Sequence, residues 1–280
     1  MRPKQWSKNI LVFAGLLFAK DFMILSKIIE SFVAFVIFCL ASSSAYLLND
    51  IVDHKSDAQH PTKRNRPIAS GALSPYIAFL FALFLSAGSL AAAFRLDTQF
   101  ALVLSAYMLL TLAYSFFLKN VIILDVLIIA SGFVFRAMAG AYAIQEVVSS
   151  WLIICTIFLA LFIVLGKRRA EIVALGSQAC NVRPTLAEYD LRYLDHLIII
   201  SNAACLIAYS LYTLDPGTVE KFGSRNLVFT LPIVIFGLFR YLYLIYHKNL
   251  GESPENAILG DMPILTSVGL YLVTVAIILY

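Results

Sequence analysis

Apolar runs about as long as a membrane is thick recur along the whole chain, and nothing else in the sequence constrains its fold so strongly. A hydrocarbon core of about 30 Å takes roughly 20 helical residues to cross. Such stretches lie at 28–49, 75–95, 98–117, 121–142, 150–168, 192–213, 226–247 and 262–280, with a shorter one at 9–20. With 61% hydrophobic and 14% charged residues and a mean hydropathy of +0.85, the 280 residues hold far more apolar surface than a soluble core of that length needs. The expectation is an all-α, polytopic membrane helix bundle of about nine transmembrane helices, forming one integral-membrane domain over 1–280. The first helix is short enough to be re-entrant or tilted, with Lys20 and Asp21 snorkelling at its end.

Charge sorts the loops. If all nine helices cross, the N-terminus and the loops near 50–74, 118–120, 167–191 and 247–261 share one side. That side collects Arg2, Lys4, Lys8, Lys55, Lys63, Arg64, Arg66, Lys119, Lys167, Arg168, Arg169, Arg183 and Lys248, against Lys20, Lys27, Arg95, Lys221 and Arg225 opposite. Excess Lys and Arg marks cytoplasmic loops, so the expected placement is multi-pass in a bacterial-type inner membrane, with a polar site at the cytoplasmic mouth. The net charge of +4, spread over several loops, reflects topology and gives no footprint for nucleic acid. Cys39, Cys155, Cys180 and Cys205 are scattered without metal or disulfide spacing and read as packing residues. No stretch reads as a cleaved signal peptide.

The densest charge lies in "LLNDIVDHKSDAQHPTKRNRPIASG", residues 47–71. If the helix ending near Asn49 continues, about 100° of rotation per residue puts Asn49, Asp50, Asp53 and Asp57 within one arc of about 100°. Carboxylates crowded at that spacing repel one another unless a cation sits among them. Hard oxygen donors suit Mg²⁺, which takes one or two carboxylates, keeps waters and completes its shell with substrate phosphates. After His60, Pro61 interrupts the helix, so Lys63, Arg64 and Arg66 can fold back as a diphosphate clamp. A solvated acidic helix end beside a basic cytoplasmic loop is the bland alternative.

The motif N-D-x-x-D-x-x-x-D, here Asn49, Asp50, Asp53 and Asp57, and the continuation H-P-T-K-R-N-R-P-I-A-S-G resemble the first motif of the UbiA-type prenyltransferase superfamily. The resemblance spans nearly the whole chain. It implies a bundle of nine membrane helices open to the cytoplasm, with Asp50, Asp53 and Asp57 holding Mg²⁺ on the diphosphate of the substrate.

A second charged loop, "GKRRAEIVALGSQACNVRPTLAEYDLRYLDHL", offers Lys167 and Arg168, with Arg169, as phosphate ligands or as headgroup anchors. Thr185 and Glu188 have capping-box spacing. Asp190 and Asp195 sit where the superfamily usually carries D-x-x-x-D. Here the spacing is one residue longer and Tyr189 and Tyr193 lie among the acids, which separates the chain from ordinary prenyl transferases and leaves a second metal open.

The N-terminal R-P-K-Q-W-S-K-N resembles the start of the decaprenyl-phosphate phosphoribosyltransferase branch. Lys4, Gln5 and Lys8, with Arg2, Trp6 and Asn9, offer donors to phosphates or sugar hydroxyls; a membrane-surface anchor is the alternative. In "LKNVIILDVLIIASGFVFRAMAGA", Asp125 and Arg136 share a face three turns apart, and the run is similar to the matching helix of that branch. An arginine at that depth needs a partner or a polar cavity, so Arg136 is expected either to reach substrate phosphate or to bridge to Asp125. Lys119, at the head of this segment, joins the expected phosphate ligands.

The resemblance therefore implies transfer of 5-phosphoribose from 5-phosphoribosyl 1-diphosphate to a polyprenyl phosphate, with Mg²⁺ as cofactor and a cell-envelope polysaccharide precursor as product. Prenyl transfer from a prenyl diphosphate to an aromatic or other small acceptor is the alternative. A transporter fits less well, because the acids gather at one mouth rather than at midplane. Small residues in "SGFVFRAMAGA" could pack helices within one bundle or between copies, which leaves a homo-oligomer open.

Overall fold

The computed structural model describes residues 3–19, 24–59, 63–175, 185, 188–248, 251 and 254–279, without the side chains at 3, 4, 59, 63, 175 and 255. Every regular element among them is helical. A 3-10 helix, Pro3–Phe13, leads into α1 (Ala14–Phe18), α2 (Leu25–Gln59), α3 (Pro75–Leu96), α4 (Thr98–Phe116), α5 (Leu124–Ala143) and α6 (Ser150–Leu175). Then come α7 (Leu191–Leu214), α8 (Pro216–Phe222), α9 (Leu231–His247), α10 (Pro254–Gly260) and α11 (Met262–Leu279), with a 3-10 turn at Asn226–Thr230 ahead of α9. Among the described residues eight helices are long and apolar enough to cross a membrane: α2 to α7, α9 with its leading turn, and α11. The chain is a multi-pass integral membrane protein.

The expected first helix differs from the other eight. Most of it is wound as a 3-10 helix, which rises about 2 Å per residue instead of 1.5. Its eleven residues and the five of α1 thereby cover about 30 Å, a distance that the same residues could not reach as an α-helix.

Local chemistry sets the other boundaries. α3 begins on Pro75, whose fixed φ suits a first helical residue. Asp97 opens α4 by accepting a hydrogen bond from the Phe100 amide at 2.8 Å, and Asp215 does the same for Thr218 at 3.0 Å at the head of α8.

The chain divides into two compact units, Met1–Val148 with Val182–Thr185, and Ser149–Asn181 with Leu186–Tyr280. In the first, α2 packs against α3, α4, α5 and the 3-10 helix, around a core that includes Val12, Phe38, Phe100, Leu104, Tyr107 and Ala139. Phe79, Phe81 and Phe84 of α3 point outward, as a lipid-facing helix requires. In the second, α6 lies along α7 and α9 along α11, with Phe162 edge-on to Tyr241 at 5.4 Å and Ile199, Ile200 and Ile207 exposed.

Candidate active site

The acidic motif rides on α2 itself. The helix runs without a break through Asn49, Asp50, Asp53 and Asp57 as far as Gln59, the last residue described before 63. Its 35 residues make a rod of about 50 Å, longer than a hydrocarbon core of about 30 Å. The apolar part can cross while the acids stand at its end.

Helical geometry places Asn49 and Asp53 on one edge of the acidic arc, with Asp57 and Asp50 on the other, and each edge has its own partner. One nitrogen of Arg66, from the loop after α2, touches Asp57 Oδ2 and lies 3.3 Å from Asp50 Oδ1. Both carboxylates are buried. On the other edge, Lys119 Nζ pairs with Asp53 Oδ1. Asn49 Nδ2 donates to Asp53 Oδ2 at 3.1 Å and Asn49 Oδ1 accepts from Ser115 Oγ at 3.0 Å. Ser115 drew no attention in the sequence, where it is one hydroxyl near the end of an apolar run. Arg64 is exposed on the same loop as Arg66. The side chains of Lys63 and Lys4, and all of His60, lie outside the described residues. His54 bonds locally to the Ile51 carbonyl at 2.7 Å.

Lys119 is delivered by a tight connection. It sits in a 3-10 turn, Leu118–Asn120, followed by Ile123 at φ 68° with Leu124 N bonded to Ile122 O at 2.8 Å. A β-branched residue in that γ-turn costs on the order of 1–3 kcal/mol. The strain is placed between the cation that holds Asp53 and the start of α5.

In a 3-10 helix every third residue lies in one row. The row Trp6, Asn9, Val12 faces inward: Trp6 Nε1 donates to Ser43 at 3.1 Å, and buried Asn9 donates to Ser42 Oγ at 3.1 Å and Cys39 Sγ at 3.2 Å on α2. Trp6 meets the later residue of α2 and Asn9 the earlier ones, so the segment runs antiparallel to α2 and its N-terminal end lies toward the acids. Gln5 and Lys8 share the neighbouring row, both half-buried. Trp6 and Asn9, expected among the donors to substrate, use their polar atoms inside the fold.

Arg136 lies buried in the same network. Its Nε donates to Asn9 Oδ1 at 2.8 Å, Nη2 to the Tyr107 hydroxyl at 3.0 Å and Nη1 to the Gly132 carbonyl. The rings of Tyr107, Phe38 and Phe133 stand 4.8, 5.4 and 5.6 Å from its guanidinium carbon. Its partners are thus neutral acceptors and aromatic faces rather than Asp125, and in this arrangement it is an internal tie between the 3-10 helix, α2, α4 and α5. Sequence spacing pointed to Asp125 because it sees only one helix; Asn9 comes from another.

In the second unit, Arg168 is buried and pairs with Glu171 at 2.6 Å, and Lys167 stands 4.0 Å from the same residue. Arg169 Nε donates to Asp195 Oδ1 at 2.7 Å, Tyr246 donates to the same oxygen at 2.9 Å, and the Arg169 guanidinium lies 4.3 Å from the Tyr246 ring. Asp195 is therefore held by an arginine and a tyrosine that no spacing rule connects to it. Tyr189 is buried; Asp190 is exposed at the N-cap of α7 without a side-chain capping bond. Thr185 Oγ1 is buried with no hydrogen-bond partner among the described residues, so the expected capping box is not formed. The helix instead begins at Leu191.

Among the described residues no three His, Cys, Asp or Glu side chains converge closely enough to hold a metal by themselves. Asp50 and Asp57 nonetheless share one cationic nitrogen, which stands where a cation is wanted. Two carboxylates completed by water and substrate phosphate are what Mg²⁺ ordinarily takes. The donor set fits that ion.

The model of the UbiA prenyltransferase family matches residues 9–259. A decaprenyl-phosphate phosphoribosyltransferase of Mycolicibacterium smegmatis is 35% identical over 273 residues, covering 92% of this chain and 84% of the relative. One of Corynebacterium glutamicum is 38% identical over 219 residues, covering 77% and 66%. Among solved structures, a UbiA homolog from Archaeoglobus fulgidus bound to GPP and Mg²⁺ shares the fold, with a TM-score of 0.74 at 20% identity over 99% of this chain and 97% of that one. By the extent of the family match and the identity of these relatives, this chain is a member of the UbiA prenyltransferase family.

Proposed function

We propose that this protein, with 1–280 as one transferase domain, moves 5-phosphoribose from 5-phosphoribosyl 1-diphosphate to a polyprenyl phosphate, releases diphosphate, and so supplies a cell-envelope polysaccharide precursor. The observation that carries the branch is 35–38% identity to decaprenyl-phosphate phosphoribosyltransferases over most of the chain. The geometry agrees with a diphosphate leaving group, since carboxylates for a divalent cation and cations for phosphate oxygens stand at one end of the first unit.

Asp50 and Asp57, with Asp53 beside them, would hold Mg²⁺, which neutralises the charge gathering on the leaving diphosphate. Arg66 and Lys119, with Lys63 and Arg64 from the same loop as Arg66, bind its oxygens. Gln5 and Lys8, in one row of the 3-10 helix, meet the ribose phosphate, with Lys4 from the same segment. In the second unit, Lys167, Arg168, Tyr189 and Asp190 are further proposed substrate ligands, by their place in the second charged loop of the sequence. The bond between the anomeric carbon and the diphosphate oxygen breaks with its electron pair leaving on diphosphate, while an oxygen of the lipid phosphate bonds to the opposite face of that carbon. Configuration inverts. The nucleophile is already an anion, so no general base is needed, in keeping with His54 being bonded to its own helix backbone.

The site faces the cytoplasm. The N-terminal end of the 3-10 helix, the loop carrying Arg66 and the turn carrying Lys119 lie at one end of the first unit, and by the positive-inside rule that end is cytoplasmic. Purified protein with Mg²⁺ is offered radiolabelled phosphoribosyl diphosphate with polyprenyl phosphate, and in parallel a prenyl diphosphate with hydroxybenzoate. Label entering the lipid fraction in the first mixture alone is the expected result; product only in the second would replace phosphoribosyl transfer with prenyl transfer.

A further inference from the structure

Among the described residues, each of the three motif carboxylates already holds a cation of the protein itself. Arg66 takes Asp50 and Asp57 through one nitrogen, and Lys119 takes Asp53. The side chains involved are largely shielded: Asp57 is 6% and Asp50 11% exposed, Lys119 17%, Asp53 23% and Arg66 24%. Shielded charges are stable only when paired, so none of these groups can change partner unless both sides of its pair are satisfied together.

We propose that Arg66 and Lys119 are exchangeable counter-ions: they neutralise the carboxylates in the ligand-free protein and pass to the diphosphate only when a divalent cation takes their place. This rests on the diphosphate-donor reading above. Diphosphate arriving alone finds Arg66 and Lys119 engaged by the carboxylates. Mg²⁺ arriving alone must displace a guanidinium from Asp50 and Asp57 and leave it unpaired. Arriving together, the metal satisfies the carboxylates and the diphosphate oxygens satisfy Arg66 and Lys119. Each ligand thus raises the affinity of the other, and linkage makes the factor the same in both directions.

Arg66 and Lys119 hold the two edges of the acidic arc from different elements, the loop after α2 and the turn before α5. The exchange therefore couples the loop and the turn to occupancy of the site. Arg66 also acquires a signature that neither a structural arginine nor a simple phosphate ligand has: it opposes metal binding before the donor arrives and supports donor binding afterwards.

The test uses the full chain in detergent, with Mn²⁺ as the metal followed by its electron paramagnetic resonance, and inorganic diphosphate as the anion followed by calorimetry. In the wild type, Mn²⁺ affinity should rise about tenfold or more when diphosphate is present, and diphosphate affinity should rise by the same factor with Mn²⁺. Arg66→Gln should tighten Mn²⁺ binding to the diphosphate-free protein several-fold and weaken diphosphate binding to the Mn²⁺-loaded protein. Lys119→Met should show the same pair of opposite shifts, and carries the test if Arg66→Gln does not fold. Mn²⁺ affinity that is unchanged or weaker in the folded variants overturns the exchange, as does wild-type binding of the two ligands without coupling. The outcome separates from that of the proposed function. Opposite shifts without phosphoribosyl transfer would leave the exchange standing and remove the substrate assignment; transfer with unaltered Mn²⁺ affinity would do the reverse.

Discussion

Gly140 on α5 lies so close to Val12 that a β-carbon added to it would land on the Val12 carbonyl oxygen. Gly15 meets α5 in the same way, with an added β-carbon 2.7 Å from the Ala141 nitrogen. Here the small residues of "AMAGA" serve packing within the chain, pressing the N-terminal segment onto α5. Only glycine lets the two backbones touch.

Gly140→Ala should therefore push the 3-10 helix off α5 and strain the row Trp6, Asn9, Val12. The expected cost is about 1–3 kcal/mol, seen as a lower melting temperature in detergent, with a raised KM for phosphoribosyl diphosphate because Gln5 and Lys8 move with the segment. An unchanged melting temperature would show that the segment can shift freely.

Asp50→Ala and Asp53→Ala should each lower turnover by at least about 10²–10³-fold while the protein stays folded. Asp50 is the more informative, because its removal leaves Arg66 on Asp57 alone. Turnover at the wild-type rate with Mg²⁺ still required would take these carboxylates out of the metal site.

Arg136 joins Asn9, Tyr107 and Gly132, elements that only the fold brings together. Arg136→Met should strand Asn9 and Tyr107 at a cost of about 1–3 kcal/mol per unsatisfied group. Arg136→Lys should recover little, since one ammonium cannot span the same three acceptors. Combining Arg136→Met with Asn9→Ala should cost less than the two changes added separately. If Arg136 acts by positioning, donor KM rises more than kcat falls; a kcat loss at constant KM and stability would instead place it on the reacting phosphates.

Arg240 and Asp261 form a two-point pair, at 3.1 and 2.8 Å, and Asp261 also accepts from the Ile264 amide at 3.1 Å at the start of α11. The Arg240 guanidinium holds the Asp261 carboxyl below the usual carboxylate range. A depressed folded-state pKa contributes stability above the unfolded value and loses it as pH falls through the folded value. Asp261→Asn should thus melt below the wild type at pH 7, with the gap closing as pH drops below about 4. A gap that does not narrow at all as pH falls below about 4 would assign the effect to the helix cap instead.

Much of this site could be read from one dimension. Asn49, Asp50, Asp53 and Asp57 share a helix face because a period of 3.6 residues is local. Arg66 lies on the loop expected to fold back. The division of the acids into two edges, each with its own cation, could not be read that way, since Lys119 reaches Asp53 across 66 residues. In the second charged loop, Asp195 belongs to Arg169 and Tyr246, a pairing set by helix packing that residue spacing does not encode.

That the chain spans a membrane many times and gathers its acids on one helix face is legible locally, because span length and helical periodicity depend only on neighbouring residues. Tertiary structure alone decided that the first segment is wound as a 3-10 helix, with its packing against Ser43, Ser42 and Gly140 aligning every third residue. It also decided that Arg136 belongs to Asn9, 127 residues away. A buried polar group takes whichever partner the packing brings within about 3 Å, and distance along the chain carries no record of that choice.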